Sequence, residues 1–183
     1  PMEAPHNYFI GIHFPASQIR LYEFNRLLRD LGPYTDEEFL EQLSHKFSIK
    51  KRKEESFRPK EKFLFGMYMN DQWYELNYQN VEFLSDDPVD NLDVSVIRKE
   101  IMTGILGITN FRSTDRISFV EGVAGINKLM YLVDKGEYKV AFTLCPANIS
   151  EIFSIADLQE SMPPKATCIE PKLKSGIISR LLS

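Results

Sequence analysis

The chain has 183 residues, 43% of them hydrophobic and 26% charged, with a formal net charge of -4. That length supplies one good core and is short for two domains, and the composition is neither disordered nor fibrous. The acidic balance argues against general nucleic-acid affinity, no apolar run approaches the roughly 20 residues of a membrane helix, and no leader-like segment opens the chain.

Asn7–Phe14 is rich in β-formers and stops at Pro15, which predicts a strand. Ile19–Phe24 alternates and is expected to pair back on it as a hairpin. The next stretch, Asn25–Leu31 before Gly32-Pro33, reads as a short helix stopped by Gly-Pro. Thr35-Asp36-Glu37-Glu38 is a capping box, and Phe39, Leu40, Leu43 and Phe47 give the helix it opens an apolar face. The basic run Lys50-Lys51-Arg52-Lys53 reads as a solvated strand end rather than a phosphate contact, because Glu54, Glu55 and Glu61 dilute it. Phe63–Met69 and Trp73–Tyr78 flank Asn70-Asp71-Gln72, the clearest hairpin in the chain, with Trp73 as a core anchor.

The acidic stretch Ser85–Asp93 lacks the central Gly and distal Glu of a calcium loop and reads as a polar linker with Asp93 as N-cap. The helix from Val94 to about Leu106 places Val94, Ile97, Ile101 and Ile105 on one face and ends at Gly107. Ile117–Val120, a helix through Leu129, Leu132 and Val133, and Tyr138–Leu144 form a β-α-β unit. Gly122 and Gly125 at its turn serve either a bound anion or close helix–strand packing, and the packing role explains them as well. Asn148 caps a further helix to about Gln159, and Gly176–Leu182 reads as a closing strand. The fold expected is α+β: a mixed, mostly antiparallel sheet with packed helices and a late β-α-β unit, as a single globular domain over 1–183.

Ser161–Gly176 is the most distinctive segment. Its three prolines, Pro163, Pro164 and Pro171, exclude an ordinary helix interior or central strand and leave a stiff loop presenting Lys165, Glu170, Lys172 and Lys174. A stiff loop loses little entropy on meeting a ligand. Motifs for phosphate loops, nucleophile elbows and zinc sites are absent. His6, His13 and His45 fall in different elements, and Cys145 and Cys168 are isolated, which fits a reducing cytoplasm and no metal site. Pro1-Met2-Glu3-Ala4-Pro5 does not read as a natural beginning, so the chain is expected to be a C-terminal piece of a longer protein.

Met162-Pro163-Pro164-Lys165, Thr167 and Glu170-Pro171-Lys172-Leu173-Lys174-Ser175-Gly176 resemble the C-terminal signature of the bacterial and archaeal domain-of-unknown-function family numbered 1015. Asn7-Tyr8-Phe9, Asn25-Arg26, Phe65-Gly66-Met67-Tyr68 with Trp73-Tyr74, Leu92-Asp93-Val94-Ser95, Leu106-Gly107-Ile108 and Phe119-Val120 with Gly122 and Gly125 agree in order. The resemblance implies an upstream part carrying an Asp-Gly-His-His-Arg motif, similar to the ParB/sulfiredoxin superfamily, whose members bind nucleotides and include a free-serine kinase. That motif is absent from these residues. Ala166, Cys168 and Ile169 stand where the family has Ser and an aromatic pair, and Asn25 where many members carry His. These departures mark an altered member if those positions are chemical, and change little if they only pack.

Two functions follow as expectations. In the first, the chain is a regulatory or assembly domain whose proline loop docks an upstream domain or a second subunit. In the second, Arg26, Lys165, Lys172 and Lys174 contact the phosphates of a nucleotide or phosphorylated metabolite, with Glu170 orienting Lys172 or acting as a base. No nucleophile–base pair is visible, so neither a reaction nor a cofactor is assigned. A cleft joining Arg26 to Lys165 would favour binding, and a flat or buried surface there would favour docking.

Overall fold

The computed structural model describes residues 7, 8, 10–83, 85–111, 113–172, 174 and 176–179. The chain separates into two units, Leu21–Cys168 and a smaller one drawn from Pro1–Arg20 and Ile169–Ser183. The larger unit carries nearly all of a seven-stranded sheet: β1 (Arg20–Leu28), β2 (Phe47–Arg52), β3 (Leu64–Met69), β4 (Gln72–Tyr78), β5 (Ile117–Glu121), β6 (Val140–Thr143) and β7 (Thr167–Glu170). Its order is β2-β4-β3-β6-β1-β5, with β7 also paired to β1. The helices are α1 (Asp36–Ser44), α2 (Asp93–Val96, continuing as π-helical turns over Ile97–Ile105), α3 (Ile126–Asp134) and α4 (Ile149–Asp157). The fold is α+β, as expected.

β1 departs from the sequence expectation. The predicted helix at Asn25–Leu31 does not form; the chain stays extended to Leu28, and Glu23 to Leu28 are all buried. The cause is tertiary. Arg26 lies opposite Phe119 of β5 and Phe142 of β6, so the ladders on both edges satisfy the backbone. A strand covered on both faces loses the alternation that marks strands in sequence. Leu28 joins the core formed with Phe39, Leu43, Ile97, Ile101 and Ile155 from α1, α2 and α4. Leu27 points the other way, into a second core with Leu129 and Val133 of α3. The sheet is thus lined by helices on both sides.

The β3–β4 hairpin forms as predicted, turning at Asn70 (φ 51°) and Asp71 (φ 58°), the paired left-handed geometry of a two-residue hairpin turn. Trp73 is buried, as its reading as a core anchor required. Thr35 caps α1 with a full capping box to Glu38, and Asn148 caps α4 with another to Glu151. β2, which carries the basic run, lies at the end of the strand order, where exposed Lys50 and Lys51 discourage further pairing. Arg52 is tied to Glu75 at 2.9 Å and to Glu54, which pairs one of the run's four cations.

The β5-α3-β6 crossover is present, but its two parallel strands are not neighbours. β1 inserts between them and runs antiparallel to each. Asp93 is not an N-cap: Leu92 holds that position, and the Asp93 carboxylate instead accepts the Phe63 amide at 3.0 Å. At Gly122 a side-chain carbon would lie 2.5 Å from the buried Glu23 carboxylate. A carboxylate in that place excludes an anion and leaves close packing as the glycine's role.

In the smaller unit, Ala16–Gln18 forms one 3-10 turn. The strand predicted for Asn7–Phe14 is not formed among the described residues, and Tyr8, Ile10 and Ile12 are exposed. Local β propensity alone does not make a strand. The closing strand predicted for Gly176–Leu182 is likewise not formed over 176–179, which turn, while residues 180–182 lie outside the described residues. The strand in this region is β7, inside the segment predicted to be loop throughout.

Candidate functional site

The candidate site grows from a buried arginine. Arg26 shares its face of β1 with Phe24 and Leu28, and only 4% of it is exposed. Its Nη1 donates to the Phe24 carbonyl and its Nη2 to the Lys165 carbonyl at 2.9 Å. Its guanidinium carbon lies 4.6 Å from the Phe119 ring centre, a cation–π contact. None of the ion pairs among the described residues involves Arg26. Burial alone lowers its pKa to about 9, which leaves it charged at neutral pH. A buried charge of this kind is costly unless it is paired.

The sequence segment that supplies its second contact is Pro163-Pro164-Lys165. Lys165 takes a left-handed backbone (φ 58°), and its carbonyl meets Arg26. Its ammonium nitrogen sits 5.0 Å from the Phe24 ring centre. On the opposite wall, Arg98 of the π-helical segment stacks 4.4 Å from the Phe111 ring centre. Val94, Arg98 and Met102, four residues apart, form one wall; Thr109, Asn110 and Phe111 form another; Phe119, the two prolines and Lys165 complete it.

These residues enclose a cavity of about 510 Å³, within the range of small-molecule sites. Arg26, Arg98 and Lys165 are its charged groups, and among the described lining residues none carries a carboxylate. Most of the remaining wall is apolar. Such a pocket suits a ligand with an anionic group and an apolar or flat body. The Arg98 guanidinium, stacked on the Phe111 ring, presents its N–H edge to oxyanions, whereas Arg26, with both Nη atoms on main-chain carbonyls, supplies mainly positive charge. No metal-binding group of three His, Cys, Asp or Glu side chains occurs among the described residues.

Of the residues singled out from sequence, the structure brings Arg26 and Lys165 together around one cavity. Glu170, Lys172 and Lys174 belong to the smaller unit, and the residues that line this cavity all belong to the larger one. Glu170 accepts the main-chain amide of Lys172 at 3.1 Å. Asn25 faces away from Arg26 along β1; it donates to Glu23 at 3.4 Å and accepts from the Leu144 amide at 3.3 Å, so its role there is structural. Ala166 and Cys168 are buried among core side chains and Ile169 is exposed. His13 and His45 are exposed.

Sequence reading missed Arg98, Phe111 and Phe119. The signal for Arg98 was its place four residues after Val94 and four before Met102, a polar member in an apolar stripe. Nothing in the sequence ties Phe119 to Arg26; that contact is made by the β1–β5 register.

No curated protein matches the chain. Solved structures resemble it weakly. A free serine kinase in complex with AMP shares 13% identity and a TM-score of 0.46, covering 84% of this chain and 55% of that one. A conserved hypothetical protein from Pyrococcus furiosus shares 13% with a TM-score of 0.45, over 83% and 56%. SbnI with a C-terminal truncation, from Staphylococcus aureus, shares 12% with a TM-score of 0.46, over 86% and 52%. The chain spans about half the length of these structures. A family profile matches residues 1–95 of the 183, and the chain belongs to that family, described as protein of unknown function, DUF1015.

Proposed function

We propose that this chain binds a phosphate-bearing small molecule, a nucleotide or a phosphorylated metabolite, in the cavity between Arg26, Arg98 and Lys165. One observation carries the reading: a buried arginine without a carboxylate partner faces a cavity whose other charges are also positive. A buried charge held only by two main-chain carbonyls and a ring face, with no carboxylate, is costly, and an anionic ligand is the partner that offsets it. Binding is the role supported. The lining holds no nucleophile–base pair, so catalysis would need groups from elsewhere in a longer protein, such as the upstream domain the family resemblance implies.

The test is thermal denaturation with ATP, ADP, AMP, inorganic phosphate and serine, each with and without Mg²⁺. A ligand at a hundredfold excess over its Kd adds about 2.7 kcal/mol to the folded state, which for a chain of this size raises Tm by about 5–10 °C. The expected outcome is a shift with a phosphate-bearing ligand that Arg26→Ala and Arg98→Ala each reduce. If the wild-type chain responds to none of these ligands, the reading fails.

A second reading, an assembly domain, draws on α4. Phe153 and Leu158 are each 60% exposed and Ile149 is 46% exposed beside them. This reading predicts concentration-dependent association that Phe153→Ser weakens, measured by sedimentation.

A further inference from the structure

Behind the wall of the anion cavity lies a second, much smaller void. It holds about 10 Å³, room for roughly one water, and is lined by Lys62, Asp93, Cys145 and Glu151 among apolar neighbours. The two spaces share a partition. Val94 lines both, and the Met162–Ala166 loop supplies Met162 and Ala166 to one and Pro163, Pro164 and Lys165 to the other.

Asp93 is the unusual member. It is 6% exposed, its Oδ1 accepts the Phe63 amide, and its Oδ2 is buried without a hydrogen bond of normal geometry. The titratable groups facing it come from three parts of the chain. Lys62 precedes β3, Glu151 lies on α4 and Cys145 follows β6. Lys62 and Glu151 are paired to each other at 2.5 Å, so their charges largely cancel. Burial raises the Asp93 carboxyl to about 7, against the Phe63 amide, Lys62 and the Cys145 amide, which favour the charge, while Glu151 opposes it. Burial raises the Cys145 thiol as well, to about 11, so it stays neutral and leaves Asp93 as the group that titrates.

We propose that Asp93 is a proton-linked regulator of the anion cavity, taking up a proton when an anion binds beyond the Val94 partition. This rests on the binding reading above. An anion in the cavity and a charged Asp93 repel across the buried partition to which Val94 contributes on both sides, where little water screens them. Neutral Asp93 removes that repulsion. Asp93 is also the first residue of α2, the helix that continues to Arg98. By linkage the coupling is reciprocal, so lowering the pH tightens the anion and the anion favours the proton.

The experiment uses sulfate, whose charge does not change across the neutral range, titrated into the chain by calorimetry at about pH 6 and about pH 8. The wild type is expected to bind about fivefold or more weakly at the higher pH and to take up protons on binding near neutrality, seen as a dependence on buffer ionisation heat. Asp93→Asn, neutral and of the same shape, is expected to bind with nearly equal affinity at both values and with no proton uptake. Arg26-dependent binding whose pH profile and proton uptake are the same in wild type and Asp93→Asn overturns this proposal and leaves the binding reading intact. Absence of binding of sulfate, phosphate and the adenine nucleotides at both pH values overturns both.

Discussion

Arg26 and Asp93 are each buried in the charge state that costs the fold something, and each suggests a substitution that separates stability from function. Arg26→Met removes a desolvated charge and fills similar volume, while leaving the Phe24 and Lys165 carbonyls without their donor. These terms oppose, so stability is expected to change by no more than about 1 kcal/mol, while the thermal shift with a phosphate-bearing ligand disappears. A large loss of stability on denaturant unfolding would show that Arg26 is a structural element instead. Asp93 has a folded-state pKa raised from 3.8 to about 7, so folding favours its protonated form. Below the unfolded value both states are protonated and nothing is lost. As pH rises from about 4 to about 7 the unfolded state ionises first, stability falls, and above the folded value the loss is constant. Asp93→Asn is therefore expected to gain about 2–4 kcal/mol relative to wild type between pH 4 and pH 8. Urea unfolding of both proteins at the two pH values checks it; an unchanged difference would show that Asp93 is charged at no cost.

The elements that follow their local sequence are those whose ends carry local chemistry. Thr35 and Asn148 start α1 and α4 because their side chains and the Glu three residues on satisfy the first amides reciprocally. The β3–β4 hairpin follows from two residues able to take left-handed backbone. Elements decided elsewhere were read wrongly. Asn25–Leu28 has helix-compatible residues and a Gly-Pro stop, yet two flanking strands claim its backbone. The β5–α3 turn shows the same dependence on a distant partner: Gly122 is a glycine because Glu23, from β1, occupies the space of a side chain. Glu23 is 1% exposed and not free to move away. Gly122→Ala is expected to destabilise by about 1–3 kcal/mol by overpacking, measured as a shift in the urea midpoint at constant m. An effect within error would show that Glu23 can relocate.

At the scale of the whole molecule, β1 is the strand on which the sheet of the larger unit depends, since β5, β6 and β7 all pair with it. Amide hydrogen exchange is expected to be slowest at Leu27 and Leu28, buried inside two ladders, and fast at residues 10–14, which have no strand partner. Protection of residues 10–14 equal to that of β1 would contradict this arrangement. The cavity also belongs to this scale, because its cations come from a strand, a helix and a loop far apart in the chain. The sequence by itself determined the α+β class, the capped helices and the hairpin, because caps, periodicity and turn residues act over a few positions. It also marked Arg26 and Lys165, through the resemblance of the segments around them. Only the tertiary structure decided that these two meet, that Arg98, Phe111 and Phe119 join them, and that Glu170, Lys172 and Lys174 fall in a separate unit. It also decided that Asp93 is a buried carboxyl rather than a cap. Strand register and burial set those outcomes, and both arise from pairings between residues that no local pattern connects.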